Sequence, residues 1–433
     1  MTLVFSSLID ISILMDKRSF LKTTAALGAL PFSSLAIMPQ SNPSFPSQLP
    51  KVPESELWKT IRDQYSLTSE YINLESGYYN IIPNPTLERL QVHLHHVNFE
   101  GSYYMRNQLE KDRKIMREKL GSVVGCAPDN LIVTRNTTES LDTIISGYPW
   151  KAGDEVIYAL QDYGAMKLMF EQVAERHGVK VNIVSVPNHP HSDEEIVDLY
   201  ASKITSKTKM LMVCHMINIT GQILPIKKIC AMAHQKGVEV LVDGAHCIGH
   251  FPFSISDLDC DYYGSSLHKW LAAPLGNGLL YIASEHIPKI WPLYADYEKD
   301  RTKIKRLNHL GTHPAYITLG IQDAIDYLNW IGPKRKEERL RSLRRFWMTA
   351  LKDVPNVVIN TPWDTKRACG IGNIGLKNMT PHVLAERLYK EHSIFTVAID
   401  YANVKGCRIT PNVFTSFAEL DRFIAAIKTL AKA

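Results

Sequence analysis

The stretch Leu241-Val242-Asp243-Gly244-Ala245-His246 reads as a buried apolar strand that ends in an acid. A carboxylate there is unfavourable unless a cation or several hydrogen-bond donors meet it. Taken alone, this acid also fits a role as the cap of the following turn. Further along, Ser265-Ser266-Leu267-His268-Lys269-Trp270 sets a lysine among apolar residues, where an amine loses its proton readily. Together the two stretches indicate chemistry by a lysine beside a buried carboxylate.

Short apolar runs alternate with helical periodicity around these stretches, from residue 120 to residue 285. The predicted strands are Leu131–Thr134, Glu155–Ala159, Lys180–Val186, Lys209–His215 and Val238–Asp243. Helical patterns begin near residue 137 and cover 163–176, 193–204 and 226–236. Ser192 and Glu195 have the spacing of a capping box for one of these helices. Continuous apolar strands separated by helices predict a parallel sheet covered on both faces, with ligands at the carboxyl ends of its strands.

The rest of the chain divides where its composition and pattern change. After residue 311 come a long helical stretch, several short strands and a final helix over Ala418–Ala433, which together predict a smaller α+β domain. We therefore expect four parts. They are an export signal (1–36), an N-terminal segment (37–70), a large domain (71–310) and a small C-terminal domain (311–433).

The first 36 residues are typical of an export signal. Lys17-Arg18-Ser19-Phe20-Leu21-Lys22 precedes an uncharged stretch that is shorter than the roughly 20 residues needed to span a bilayer. Ser34 and Ala36 offer a small-x-small cleavage site. The basic string resembles a twin-arginine signal with lysine in place of the first arginine. We expect export to the periplasm; the alternatives are an uncleaved membrane anchor and a cytoplasmic location.

Composition and charge exclude several classes of protein. The chain has 433 residues, of which 45% are hydrophobic and 21% charged, as in an ordinary soluble globular protein rather than a disordered or collagen-like one. A net charge of +5 does not require a nucleic-acid partner. The strongest basic cluster, at 334–345, is interrupted by Glu337 and Glu338 and by apolar residues at helical spacing. This pattern favours a solvated amphipathic helix over nucleic-acid binding.

The cysteines and histidines do not point to a disulfide framework or a metal site. Seven cysteines are present, an odd number, and no CxxC pair occurs among them. Several lie in apolar strings, where a buried cysteine acts as a small hydrophobic residue. The densest histidine group is His93, His95 and His96, of which only His93 and His96 would share a helix face. We expect no metal.

Taken together, these segments resemble the class V aminotransferase superfamily of fold-type I pyridoxal-phosphate enzymes. That superfamily includes the cysteine desulfurases and the isopenicillin N epimerase-like proteins, and the resemblance runs from about residue 70 to the C-terminus. It implies an α/β fold with a mainly parallel seven-stranded sheet in the large domain and a smaller α+β C-terminal domain. It also implies pyridoxal 5′-phosphate as the cofactor.

The resemblance implies roles for four residues around the cofactor ring. Lys269 would hold the cofactor covalently through its ε-amine. Asp243 would pair with the pyridine nitrogen and keep it protonated, so that the ring accepts electrons. His246 and Asn218 fall where side chains reach the phenolic oxygen of the ring.

The cofactor phosphate would be held at the start of a helix. Thr137 and Thr138 lie in Thr134-Arg135-Asn136-Thr137-Thr138-Glu139, where free N–H groups and the helix dipole favour an anion. A helix cap explains the same residues. Ser266 and His268 match the remaining phosphate contacts of the family, and Tyr163 aligns with the ring that stacks on the cofactor.

The resemblance also implies a substrate site and a partner subunit. Arg408, in Gly406-Cys407-Arg408-Ile409-Thr410-Pro411, matches the arginine that binds the substrate α-carboxylate through two parallel hydrogen bonds. The alternative is an arginine paired with a structural acid. Thr312 matches a residue that reaches the phosphate of the neighbouring subunit, which implies a homodimer with shared sites. The segment 73–80 resembles the part of the family that lines the pocket.

The expected reaction is that of a pyridoxal-phosphate enzyme acting on a small-molecule amino acid or amine, with aminotransferase as the leading hypothesis. Epimerisation and elimination share its first steps and stay open as alternatives. Cysteine desulfuration is disfavoured because no inserted cysteine loop precedes Arg408, and Cys407 adjoins the arginine on a predicted strand. A non-catalytic binding protein is least favoured, since it has no need of the lysine, the aspartate and the phosphate loop together.

Overall fold

The computed structural model describes residues 49–432, which belong to one compact unit of the chain. The predicted export signal, 1–36, lies outside the described residues. Within the described part, no helix combines the length and the apolar composition needed to cross a membrane. The predicted domain boundaries stay predictions.

Strands and helices alternate through the first two thirds of the described chain. The strands are β1 (Ile72–Asn73), β2 (Leu131–Thr134), β3 (Glu155–Ala159), β4 (Lys180–Val184), β5 (Thr208–Cys214), β6 (Glu239–Asp243), β7 (Tyr262–Ser266), β8 (Gly278–Ile282), β9 (Val357–Ile359), β10 (Gly372–Leu376), β11 (Ile394–Phe395), β12 (Val397–Tyr401) and β13 (Val404–Ile409). The helices are α1 (Glu54–Arg62), α2 (Asn84–Glu100), α3 (Ser102–Asn107), α4 (Leu109–Val124), α5 (Thr137–Gly147), α6 (Gly164–His177), α7 (Asp193–Ala201), α8 (Ile226–His234), α9 (Ile255–Leu258), α10 (Ala315–Ile331), α11 (Pro333–Leu351), α12 (Pro381–His392) and α13 (Phe417–Leu430).

Seven strands form the large sheet in the order β2-β8-β7-β6-β5-β3-β4. Every strand runs parallel to its neighbour except β8, which is antiparallel to both β2 and β7. The predicted α/β fold with a mainly parallel seven-stranded sheet is therefore confirmed. The largest difference from the predicted strands is in β4, which ends at Val184 rather than Val186 because the Val186 N–H donates to Oε1 of Gln161 instead of continuing the ladder.

Alternate residues of these strands pack into separate clusters on the two faces of the sheet. Leu211, Val213 and Val242 lie in one cluster, which also takes in residues of α4, α8 and α10. Met212 and Leu241 lie in the other, with residues of α5 and α6. A parallel sheet that is apolar on both faces is stable only when helices cover both, which explains the continuous apolar runs in the sequence.

The C-terminal part forms a smaller antiparallel sheet in the order β12-β13-β10-β9, with α11, α12 and α13 around it. The N-terminal segment joins this part, since β1 pairs in parallel with β11 and Glu75 bridges to Thr410. Residues 72–73 therefore run beside β11, and Glu75 lies beside Thr410, just after the strand that carries Arg408. The final helix ends at Leu430, close to the predicted end.

The basic segment forms helix α11, as predicted, but the expectation that its charges are solvated is wrong for three of them. Lys336, Arg339 and Arg344 are buried. The guanidinium of Arg339 donates to the Thr415 carbonyl and lies over the ring of Phe417. Because long basic side chains carry apolar stems, a charge pattern alone does not show which of them are covered by neighbouring elements.

Candidate active site

The carboxyl ends of three neighbouring strands bring the key side chains to one edge of the large sheet. Asp243 is the last residue of β6 and lies opposite Cys214, the last residue of β5. Ser266 is the last residue of β7, and the turn that follows carries Lys269. The parallel register therefore places the acid and the lysine of the two decisive stretches at the same edge.

Lys269 and His246 are in direct contact. Nζ of Lys269 lies 3.2 Å from Nε2 of His246, and the other ring nitrogen, Nδ1, accepts a hydrogen bond from Trp270 Nε1 at 3.2 Å. His246 and Trp270 are buried, whereas Lys269 is partly exposed. The lysine amine therefore makes a hydrogen-bonding contact with His246, and the side chain is not fully covered by the protein.

Burial shifts the pKa of each of these groups in the direction that favours the neutral form of the group. The pKa of Lys269 falls to about 8 because the protein excludes water from the ammonium, an effect that Asp243 partly offsets. The pKa of Asp243 rises, chiefly through burial, although the Ala245 N–H donates to its Oδ1 at 2.9 Å. The pKa of His246 is lowered by burial and then by Lys269 and Arg408. A lysine with a pKa near neutrality supplies the free amine that attack on a carbonyl requires.

A second group of polar side chains lies at the start of α5. The Thr137 N–H donates to Oγ of Ser266 at 3.0 Å, and the two hydroxyl oxygens lie 2.7 Å apart. Asn136 caps the helix, in agreement with the alternative interpretation of this segment as a helix cap. Its side chain accepts a hydrogen bond from the Glu139 N–H only. Among the described residues nothing accepts from the Thr138 N–H, so the helix start keeps a free donor beside two hydroxyl groups, as an anion site needs.

The other residues predicted to contact the cofactor differ in their burial and in their hydrogen-bond partners. His268 is partly buried, and its Nδ1 lies 3.2 Å from the Asn277 carbonyl, so a neutral ring presents the lone pair of Nε2 to any further partner. Tyr163, the residue before α6, has 46% of its surface exposed. The carbonyl of Asn218 accepts a hydrogen bond from Arg408 Nη1 at 3.4 Å. Thr312 is exposed on this chain.

Arg408 is buried against an acid that the sequence did not single out. Its Nε and Nη2 donate to the two carboxylate oxygens of Glu75 at 3.1 and 2.5 Å. Glu75 also accepts from the Tyr78 N–H at 2.9 Å. The backbone of Gly77 packs on the guanidinium so closely that a Cβ there would lie 3.0 Å from Cζ of Arg408. One edge of the arginine is thus taken by Glu75, and Nη1 is directed toward Asn218.

Sequence reasoning missed Glu75 and gave no role to Trp270. Glu75 lies in the segment predicted to line the pocket, and it is the acid closest in sequence to Gly77, so its placement was the available signal for a partner of Arg408. Asp162 was also passed over. It is buried beyond the end of β3, its Oδ1 has no partner among the described residues, and burial raises its pKa to about 7.

The cysteines of the described part are poorly suited to nucleophilic attack. All seven are free, and all but Cys126 are buried. Burial raises the pKa of Cys369 and of Cys407 to about 12, and the Cys407 thiol lies on β13 facing the Pro381 carbonyl. Because the thiolate is the reactive form, these surroundings suppress reactivity.

The donor set fits pyridoxal 5′-phosphate. Oδ2 of Asp243 makes no hydrogen bond within the described residues, which leaves a buried carboxylate oxygen for a protonated ring nitrogen. The free Thr138 N–H and the hydroxyl groups of Thr137 and Ser266 suit a phosphate, and Lys269 supplies the amine. These groups bring an acceptor for a protonated ring nitrogen, an anion site and a nucleophilic amine to one edge of the sheet.

Comparison with known proteins supports this assignment of the cofactor. The family model described as "Aminotransferase class-V" matches residues 81–398. The chain belongs to the class V aminotransferase family. It is 26% identical over 390 residues to isopenicillin N epimerase of Streptomyces clavuligerus, covering 86% of this chain and 98% of that protein. It is 31% identical over 269 residues to a probable cysteine desulfurase of Chlamydia muridarum, covering 59% of this chain and 66% of that one.

Solved structures show that this class V enzyme shares its fold with known pyridoxal-phosphate proteins. A C-DES mutant with glycine covalently linked to the cofactor aligns with a TM-score of 0.76 at 21% identity, over 85% of this chain and 98% of that one. Apo cysteine desulfurase from Thermococcus onnurineus NA1 gives the same TM-score and identity over 86% and 98%. The predicted family, fold and cofactor are therefore confirmed, and the chain is a pyridoxal-phosphate-dependent class V enzyme.

Proposed function

We propose that this enzyme is an aminotransferase that acts on an amino acid, with Lys269 as the group that moves the proton at Cα. The contact between Lys269 and His246, beside the buried Asp243, carries the proposal. When bound, the cofactor supplies an electron sink that stabilises negative charge at Cα. The protein must then bind the substrate, hold the ring and transfer the proton.

Lys269 is suited to both halves of the proton transfer. Its lowered pKa, about 8, leaves an appreciable neutral fraction that takes a proton near neutral pH and can return it elsewhere on the same face. Asp243 would keep its negative charge against a protonated ring nitrogen, because pairing with that cation would offset the effect of burial, which by itself raises the pKa of the carboxyl. A single base on one face is sufficient for transamination.

Arg408 supports an amino acid rather than a simple amine as the substrate. Glu75 binds the Nε and Nη2 side of the guanidinium, which leaves the Nη1 edge, directed toward Asn218, for a second carboxylate. An arginine can hold two carboxylates on its two edges because its five N–H groups are fixed in one plane. The counter-charge of Glu75 weakens the attraction for the second carboxylate without abolishing it.

Epimerisation at Cα is the second candidate. Two isopenicillin N epimerases align with this chain over 98% and 99% of their own lengths. The probable cysteine desulfurase of Chlamydia muridarum aligns over only 66% of its length. An epimerase must also deliver the proton to the opposite face of Cα. The environment of the described cysteines argues against desulfuration by a cysteine nucleophile.

Incubation of the purified enzyme with a panel of amino acids in deuterated water tests the proposal. An aminotransferase releases the corresponding 2-oxo acid in an amount equal to the bound cofactor when no amino acceptor is added. Deuterium at Cα with inversion and without an oxo acid would replace the proposal by epimerisation. Release of ammonia together with the oxo acid would indicate elimination.

We also propose a homodimer with shared active sites, in which Thr312 reaches the phosphate bound by the partner. Thr312 is exposed, and Tyr78 and Tyr297 have 75% and 88% of their surfaces exposed, which is high for large aromatic residues. Mixing Lys269→Ala chains with Thr312→Ala chains tests this arrangement. A heterodimer has one site that carries both changes and one that carries neither, so activity should return on mixing. No recovery from chains that do exchange subunits would contradict it.

Export to the periplasm is proposed on the basis of residues 1–36 alone. The prediction is that a reporter fused after residue 36 appears in the periplasm of a bacterial host. Replacement of Lys17 and Arg18 by glutamine should keep it in the cytoplasm. A reporter that stays in the cytoplasm with the unaltered signal would contradict export.

A further inference from the structure

Trp270, the residue after Lys269, contacts the histidine beside that lysine. Its Nε1–H donates to Nδ1 of His246 at 3.2 Å, while Nε2 of the same ring lies 3.2 Å from Nζ of Lys269. The indole, the imidazole and the amine therefore form a continuous chain of contacts. Both rings are buried, so water does not compete for these hydrogen-bonding positions.

The indole is held in one orientation by its surroundings. It stacks on the ring of His250 with the centroids 3.7 Å apart and an angle of 15° between the planes. His250 is fixed in turn, because its Nε2 accepts from the Gly370 N–H at 2.8 Å and its Nδ1 lies 2.8 Å from the His246 carbonyl. A Cβ at Gly370 would lie 3.2 Å from Cη2 of Trp270. The indole N–H is therefore a fixed donor.

A fixed indole donor determines which nitrogen of His246 carries the proton. An indole N–H only donates, so Nδ1 must act as an acceptor and carry no hydrogen. A neutral imidazole has one hydrogen, which is then placed on Nε2. Burial and the nearby cations favour the neutral ring. Nε2 thus presents an N–H to Lys269 Nζ, a contact that suits the free amine and does not suit an ammonium.

We propose that Trp270 is a positioning residue that fixes His246 in its Nε2–H tautomer. In that tautomer His246 donates to the neutral amine of Lys269 and, with the cofactor bound, to the phenolic oxygen of its ring. The proposal rests on the cofactor-dependent function proposed above and adds Trp270 as a residue that acts through His246. Without the indole, His246 can carry its proton on Nδ1 and present a lone pair instead.

The effect of Trp270 appears in the pH dependence of the bound cofactor. A donor to the phenolic oxygen stabilises the negative charge there and so favours loss of the proton from the linked lysine nitrogen. Removing the donor should raise the pH midpoint of the visible absorbance change. The other charged or titratable groups around His246 and Lys269 remain in both proteins; they are Glu75, Cys214, Asp243, His250, His268 and Arg408.

The test is a pH titration of the visible absorbance of the holoenzyme in four proteins: wild type, Trp270→Phe, His246→Gln and the double variant. We expect Trp270→Phe to raise the midpoint by about one pH unit, a tenfold change in the proton equilibrium. Glutamine has no ring tautomer, and its amide group can rotate to direct an N–H toward Lys269 with or without the indole. Adding Trp270→Phe to His246→Gln should therefore leave the midpoint unchanged.

Each result decides the proposal. A shift only in the protein that retains His246 supports it. An unchanged midpoint, or the same shift in both backgrounds, overturns it, because a merely structural role of the indole does not depend on the histidine; the proposed function then stands. A wild type without a visible band overturns both. If Trp270→Phe does not fold, nitrogen NMR of wild-type His246, assigned through His246→Gln, decides: a proton on Nε2 supports the proposal and a proton on Nδ1 overturns it.

Discussion

Replacing Glu75 by glutamine should strengthen the binding of amino acids. Glu75 is the buried counter-ion of Arg408, with N–O distances of 3.1 and 2.5 Å, and only 4% of its side chain is exposed. Its charge opposes that of a substrate carboxylate bound at the Nη1 edge of the same guanidinium. The substitution Glu75→Gln removes this repulsion and keeps a side chain of nearly the same shape.

The size of the effect follows from the geometry of the pair. Two carboxylates on opposite edges of one guanidinium lie about 7 Å apart, two hydrogen-bond lengths plus the width of the group. At an effective dielectric constant of about 20, their repulsion is about 2 kcal/mol, or roughly thirtyfold in a dissociation constant. Because both partners are buried, salt screens this interaction weakly.

The assay titrates an amino acid and the corresponding decarboxylated amine into the holoenzyme and follows the visible absorbance of the cofactor. We expect roughly thirtyfold tighter binding of the amino acid and no change for the amine. The matched control is Glu419→Gln, which alters another bidentate pair, with Arg62. Equal changes for both ligands, or weaker binding of the amino acid alone, would refute the electrostatic role and leave Glu75 as a support that orients Arg408.

Three further predictions concern Asp243, Lys336 and Lys269. Asp243→Asn should lower the rate of Cα–H exchange roughly a thousandfold while the cofactor still binds, because about 4 kcal/mol of ion pairing with the ring nitrogen is lost; unaltered exchange would contradict this. Burial lowers the pKa of Lys336 to about 7, so the unfolded chain binds more protons above that pH. Stability should therefore rise from about pH 7 toward pH 10.5, and denaturant titrations of Lys336→Met should lack this rise. Since the pKa of Lys269 is about 8, the rate of cofactor uptake by the cofactor-free protein should increase as the pH is raised through 8; a rate that falls there would count against a free amine.

The sheet could be predicted from the sequence because its pattern is local. Buried parallel strands must be apolar on both faces, so β2, β3, β5 and β6 stand out as runs of aliphatic residues between helical segments. The capping prediction at Ser192 was half right. Its hydroxyl accepts from the Glu195 N–H, but Glu195 itself accepts from the His191 N–H rather than from Ser192.

The site was less predictable because several of its contacts join distant parts of the chain. The bridge between Glu75 and Thr410 brings Glu75 to Arg408, and neither of the paired residues carries a local signal for the other. The burial of Lys336 also depends on a long-range contact: its amino group donates to the Trp270 carbonyl, which joins α11 to the turn that carries Lys269. Local periodicity does not contain such long-range pairings, so they require the folded chain.

Covalent mapping of the cofactor tests the central assignment most directly. The holoenzyme is reduced with borohydride and digested, and the peptide that carries the pyridoxyl group is identified by mass spectrometry. We expect a single modified residue, Lys269, and no labelled peptide from Lys269→Ala. A label on another lysine, or none in a wild-type protein that shows the visible band, would contradict the account.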